Sequence, residues 1–173
     1  VNRQYEIAIN YYRTIQKKYP YTNSVVASRV REVNDNLILR DAVSALITIE
    51  STNNIINHIY AKDSIGARYE PQSYFDFAQE EVLYLRGEAY NLAGNFEQSE
   101  SFLHGFLETF TNSSLTNYVR LGYAWSLLNQ NKNAEAIKIY ESVITSKEQT
   151  EARVIALAEL YRAIAVKRNG DVD

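Results

Sequence analysis

Cysteine and methionine are absent from this chain of 173 residues, proline occurs twice and glycine six times. Without cysteine there is no disulfide framework, and thiolate sites for zinc or iron–sulfur clusters are excluded with it. An excess of either charge is missing too: 18 Lys and Arg stand against 21 Asp and Glu, a formal net charge of −3. A dedicated nucleic-acid binder draws its affinity from clustered basic groups that neutralise phosphates, and that balance argues against one. No stretch approaches the roughly 18 apolar residues of a membrane span, because charges or Asn/Ser/Thr clusters interrupt every run. The chain opens with Val1 and carries no signal peptide, which suggests a processed chain or a piece of something longer.

What is present is tyrosine, 14 of them, and unevenly placed charge. Residues 1–40 carry seven basic and three acidic groups, 41–110 three and eleven, and 111–173 eight and seven, for nets of +4, −8 and +1. An acidic middle could favour a basic partner, but a solvated helical surface is the preferred account of it.

Apolar residues recur at intervals of three and four, as in Ile7, Tyr11, Tyr12 and Ile15 or in Leu121, Ala124, Leu127 and Leu128. That spacing is the stripe of an amphipathic helix. Helices are expected near 3–18, 23–35, 37–62, 72–93, 95–110, 115–130, 132–146 and 149–168, with strand signals nearly absent. Pro71 suits the first turn of the fourth helix, and Gly94 with Asn95 suits its end. No helix is apolar all round, so each must bury one face on a neighbour.

Helices in series call for a search for a fixed period. Segment 80–113 holds Leu83, Gly87 and Tyr90, then Gly94 and Phe96, then Ser99, Leu103, Phe106 and Phe110. Segment 117–150 repeats the pattern with Tyr123, Ala124 and Leu127, then Ala136, Tyr140 and Val143. The N-terminal stretch matches a second helix only, through Ala8, Tyr12, Ile15 and Pro20, and 23–56 offers a weaker copy in Val26, Val30, Val33, Ala42, Leu46 and Ile49. Ala163, Val166 and Gly170 match a first helix. Small residues at the repeated positions let two backbones approach closely, and large ones fill the groove between them. An insertion falls around 57–79, with a linking stretch near Asp63–Pro71.

These spacings resemble the tetratricopeptide repeat (TPR), a two-helix unit of 34 residues. The resemblance implies an all-α, right-handed superhelical solenoid of antiparallel helix pairs, one domain over 1–173. It divides as half-repeat 1–22, repeats 23–56, 80–113 and 117–150, and partial repeat 151–173. Helices that end in an aromatic and run into a proline or Asn/Ser turn, at Lys18-Tyr19-Pro20 and at Thr109-Phe110-Thr111-Asn112-Ser113, are similar in style to bacterial cell-envelope TPR proteins of the BamD and YbgF kind. A periplasmic or outer-membrane-associated location follows from that likeness.

The resemblance also implies a concave wall lined by first helices, whose second, fifth, ninth and twelfth positions face a partner. Here those positions are Glu81, Tyr84, Glu88 and Asn91, and Tyr118, Leu121, Trp125 and Leu128. Trp125, the only tryptophan, serves there either as an interface anchor or as packing. The Lys, Arg and Asn clamp with which some TPR domains hold a C-terminal carboxylate is missing. Glu81 and Glu88 would repel an anionic peptide, so the expected partner is a protein or peptide segment, basic or neutral and partly apolar.

The sequence carries no familiar catalytic pattern. His58 and His104 are isolated from each other and from any HExxH pair, which leaves His104 a structural role within a second helix. The glycines stand singly, so neither GxGxxG nor a P-loop occurs, and GxSxG is absent. Glu80 and Glu81 are adjacent on a helix and point about 100° apart, so they do not face each other across a cleft. Asn112-Ser113-Ser114 fits a glycosylation tripeptide but carries no weight without a secretory context. Tyr11, Tyr12 and Tyr19 match positions that pack hairpins, so core packing is preferred to stacking on bases or sugars. No metal and no cofactor is expected. The reading is an interaction scaffold without catalysis. The alternatives are a self-associating repeat protein, because the half-repeats expose apolar faces, and a non-catalytic arm of an enzyme whose active domain lies outside the chain.

Overall fold

The computed structural model describes residues 2–20, 22–61, 72–147 and 150–170, with the side chains of 23, 57–61 and 72–77 set aside. Within them the secondary structure is helical, as expected: α1 (Asn2–Lys18), α2 (Asn23–Ile38), α3 (Ala42–Ala61), α4 (Gln72–Leu92), α5 (Phe96–Thr109), α6 (Thr116–Asn129), α7 (Asn133–Ile144) and α8 (Ala152–Gly170). Pro71, Tyr21 and the stretch expected to link α3 to α4 lie outside the described residues. The chain forms two compact units, 1–93 with α1–α4 and 94–173 with α5–α8, and the division falls between the two helices of segment 80–113.

In each unit consecutive helices pack on one another, and alternate helices also touch: α2 meets α4 in the first unit, and α6 meets α8 in the second. That is the contact pattern of stacked helix pairs. The first unit buries Val26, Val30 and Val33 of α2 against Ala45, Ile49 and Ile56 of α3 and Val82, Leu85 and Ala89 of α4. The second buries Ala124, Leu127 and Leu128 of α6 with Ala136, Tyr140 and Val143 of α7 and Val154, Ala158 and Ala165 of α8. Burying such a side chain stabilises by about 1.5–3 kcal/mol, which sets the interior stripe ahead of helix propensity as the source of order.

The α2–α3 turn differs from the expectation. The break lies at Leu39–Asp41 rather than at Asn36, which is buried within α2. Arg40 takes a left-handed conformation at φ 61°. The Asp41 N–H donates to the Asn36 carbonyl at 2.8 Å and the Arg40 N–H to that of Leu37 at 3.0 Å, the paired bonds of a Schellman end. Asp41 then caps α3 by accepting from the Ser44 N–H at 2.9 Å, and the bonds from Ser44 hold its carboxyl below the usual range. The later start moves the small close-packing residue of α3 from Ala42 to Ala45, with Ile49, Thr52 and Ile56 completing the buried stripe; Leu46 is only partly buried. The same turn follows α6, where Asn131 sits at φ 61° and the Lys132 N–H reaches the Leu127 carbonyl at 3.0 Å. Gly94 after α4 is left-handed at φ 75°, as expected.

Polar ties fix the pairs. Glu32, buried on α2, accepts from Arg13 Nε and Gln16 Nε2 of α1, both at 2.8 Å. Asn117 Nδ2, at the start of α6, donates to Ser146 Oγ at 3.0 Å and Thr150 Oγ1 at 2.6 Å, which anchors both ends of the α7–α8 connection. Tyr11 and Tyr19 do not join the core: they are exposed, because among the described residues nothing packs against that side of α1. Tyr12 is partly buried against α2.

Candidate functional site

Glu81, Tyr84, Glu88 and Asn91 are spaced by three, four and three residues, which puts them on one side of α4, beside the buried stripe of Ala78, Val82, Leu85 and Ala89. All four are partly exposed. Tyr84 packs against the edge of the first core. Burial raises the Glu81 carboxyl while Arg31 of α2 pulls it down, so Arg31 belongs to this face although sequence reasoning passed over it. It occupies the ninth position of segment 23–56, which is the signal that would have found it. Asp35, also on α2, is raised by burial against the opposing pull of Arg31.

Glu88 departs from the sequence reading. Its residue surface is partly open, yet Oε1 is sealed from solvent and makes no hydrogen bond. Burial pushes the carboxyl up to about 7, and the hydrogen bond from Asn91 opposes the rise without cancelling it. Near neutral pH this group carries only part of a charge, so the repulsion expected of it toward an anionic peptide is weakened.

In the second unit, Tyr118, Leu121 and Trp125 lie on one side of α6 at spacings of three and four. They are partly exposed, whereas Val119, Gly122, Ala124, Ser126, Leu127 and Leu128 of the same helix are buried. Leu128 is therefore no surface position. It is fully enclosed in the second core, and Arg168 of α8 reaches over to donate to its carbonyl at 3.3 Å. The sequence register placed it with the other three, but the last turn of α6 is covered by α8.

Trp125 stacks on Tyr161 of α8 with ring centroids 4.7 Å apart at 45°, and Tyr161 in turn meets the buried Tyr140 at 6.1 Å. The tryptophan is thus held rigid on one side and open on the other. Tyr161 was missed because it falls outside the four positions taken to face a partner; its signal was an aromatic on the next first helix. Tyr118 donates to Glu151, and that bond, with burial, raises the phenol. His104 is an exposed side chain on α5 rather than a packed one, tilted against Tyr123 at 5.7 Å, with Nδ1 3.6 Å from Glu108. The His58 side chain lies outside the described residues. Among the described residues no group of His, Cys, Asp and Glu is arranged to hold a metal, and no helix is long and apolar enough to cross a membrane.

A protein-family model described as Tetratricopeptide repeat matches residues 118–146. That span is the α6–α7 hairpin, in which the small and large residues of the repeat, Ala124, Ala136 and Tyr140, are all fully buried. Comparison with curated proteins and with solved structures returns no match. The match supports the TPR family reading, and repeats of this kind are in general protein-interaction modules.

Proposed function

We propose that the chain is a non-catalytic scaffold that binds a partner polypeptide along its first helices. The observation that carries this reading is the α6 stripe: three large side chains, Tyr118, Leu121 and Trp125, share one partly open side of a helix whose other side is buried in the second core. A braced tryptophan beside a tyrosine offers contact area with little rotamer entropy left to lose, the property that makes these residues interface anchors. The α4 stripe of the first unit is a separate surface of its own, mixed aromatic, amide and acidic. The partner is a protein segment, basic or neutral and partly apolar, and Glu88 contributes its full negative charge only as the pH rises above about 7. A bacterial-envelope location is part of the proposal and rests on the aromatic-ended helix turns at Tyr19 and Phe110.

Trp125 is the sole tryptophan, so its fluorescence reports on occupancy of the α6 stripe. Titration with peptides that pair Lys or Arg with apolar residues should shift the emission, and Trp125→Ala and Tyr84→Ala should each weaken capture of the partner about tenfold or more. Capture unaffected by both substitutions would refute the location. Cell fractionation tests the envelope placement, and recovery with the cytosol would remove it.

A further inference from the structure

Glu32, Asp35, Glu81 and Glu100 are carboxyls that the fold covers wholly or in part, and a cation is drawn to each. Glu32 accepts from Arg13 Nε at 2.8 Å, and Glu100 from Lys132 Nζ at 2.6 Å. Arg31 pulls on both Asp35 and Glu81. Glu88 differs. Its only hydrogen-bond donor among the described residues is Asn91, and that bond lies on the other oxygen, because Oε1 is closed to solvent and receives none. A covered carboxyl oxygen without a donor costs stability, so its presence on an otherwise open face calls for a role outside the frame of the fold.

The helices packed on α4 do not supply the missing donor. Those helices are α2 and α3. On α2 the charged groups are Arg29, Arg31, Glu32 and Asp35: Arg29 is bonded to Ser51, Glu32 is taken by Arg13 and Gln16, and Arg31 acts on Glu81 and Asp35. Glu50 of α3 is paired with Arg86 at 2.9 Å. Burial and the Asn91 bond alone set the state of Glu88.

We infer that Glu88 is the acceptor for one basic side chain, a lysine ammonium or an arginine guanidinium, carried by the partner polypeptide. This rests on the reading of the α4 stripe as a binding face and names the residue there that reads the partner's charge. The incoming cation donates to the oxygen that lacks a donor, while Asn91 holds the other. Tyr84, one turn earlier on the same side, lies along the apolar stem of the bound residue. Glu88 keeps part of its residue surface open, so the cation arrives along the stripe. The last torsion of a glutamate is broad, and a turn about it brings Oε1 to meet the cation. The cation keeps its own protons, and docking drives the proton of Glu88 into water. Binding therefore strengthens as the pH rises toward 7 and levels off above it.

The test is a carbon-13 NMR titration of the glutamate carboxyls in the 173-residue chain, with N-acetyl-arginine amide and N-acetyl-lysine amide as probes at up to about 0.1 M. N-acetyl-glutamine amide and sodium chloride at matched ionic strength are the controls. Glu88→Gln identifies the resonance, with circular dichroism to confirm its fold. The Glu88 midpoint should begin near 7 and fall by about one unit when a cationic probe stands at ten times its dissociation constant. The controls should leave it in place, and Glu88→Gln should lose the amide shifts that the probes cause over residues 84–91. A midpoint unmoved by both cations would overturn the inference. So would an equal movement with salt, or the same amide shifts in Glu88→Gln. Trp125 lies in the other unit and reports separately. If its emission shifts with Lys- or Arg-bearing peptides while Glu88 stays still, this inference falls and the binding reading stands. A Glu88 that responds while Trp125 is silent supports the inference and removes the α6 stripe as the site, and silence from both removes the two together.

Discussion

Replacing Glu88 by glutamine should stabilise the protein, and only at neutral and higher pH. The ordinary glutamate value of 4.5 applies in the unfolded chain, whereas the folded carboxyl is pushed up to about 7, with Oε1 shut away from solvent and unbonded. Because the folded pKa is the higher one, the folded state holds the proton more tightly. The stabilising contribution of the protonated group is complete below about pH 4.5, falls as the pH rises, and is gone above about 7. That interval corresponds to about 3 kcal/mol, an order-of-magnitude figure at roughly 1.4 kcal/mol per pH unit. Glutamine is isosteric, stays neutral throughout and can keep the bond to Asn91. Urea unfolding of both proteins, followed by circular dichroism, should give equal stabilities near pH 4.5 and a variant more stable by about 2–3 kcal/mol at pH 8. Glu81 and Asp35 are also raised by burial, but they are common to both proteins and cancel in the difference. A gap between variant and wild type that does not change with pH would show that Glu88 is solvated and ionised in the fold.

Arg13→Ala should cost about 2–3 kcal/mol in chemical denaturation, because it strips a charged partner from the buried Glu32 carboxylate, whereas Arg162→Ala, whose ion pair with Glu141 is exposed on both sides, should cost under about 1 kcal/mol; equal costs would contradict the burial argument. Arg40→Gly should raise stability by about 1 kcal/mol by relieving a left-handed residue, and Asn131→Gly should gain less, since asparagine tolerates that conformation. A loss at Arg40 would show that its side chain contributes more than its backbone strain costs. Tyr140→Phe should be neutral or stabilising by up to about 1 kcal/mol, for the hydroxyl is fully buried without a hydrogen-bond partner; a thermal midpoint several degrees lower would refute this.

The helices were legible because each must bury one stripe, and a stripe is written at intervals of three and four. The α2–α3 turn was not. Asn36 carries the chemistry of a breaker, yet its place is set by burial within α2. The true turn instead rests on Arg40, whose side chain announces nothing about a left-handed backbone. The exposure of the candidate positions was half legible. The repeat resemblance names Tyr118, Leu121 and Trp125 together, and they share one partly open side of α6, but it treats a helix as having a single inside. A first helix in this stack has neighbours on several sides, and whether its twelfth position is covered depends on the helix two places later, as the bond from Arg168 over Leu128 shows. Glu88 was read as surface charge for the same reason.

The matched triads show what remains outside the reach of sequence even where the pattern is read correctly. Ala136, Tyr140 and Val143 are sealed, while Ala8, Tyr12 and Ile15, at the same spacing, are only partly buried. Residue type and interval specify which side of a helix wants a neighbour. How far that side is covered is decided by what lies beside the helix in space. The same three-residue signature therefore yields a closed core in α7 and a partly open side in α1, and the difference should be measurable: Tyr140→Ala removes a fully packed ring and should cost about 3–5 kcal/mol, and Tyr12→Ala should cost a fraction of that.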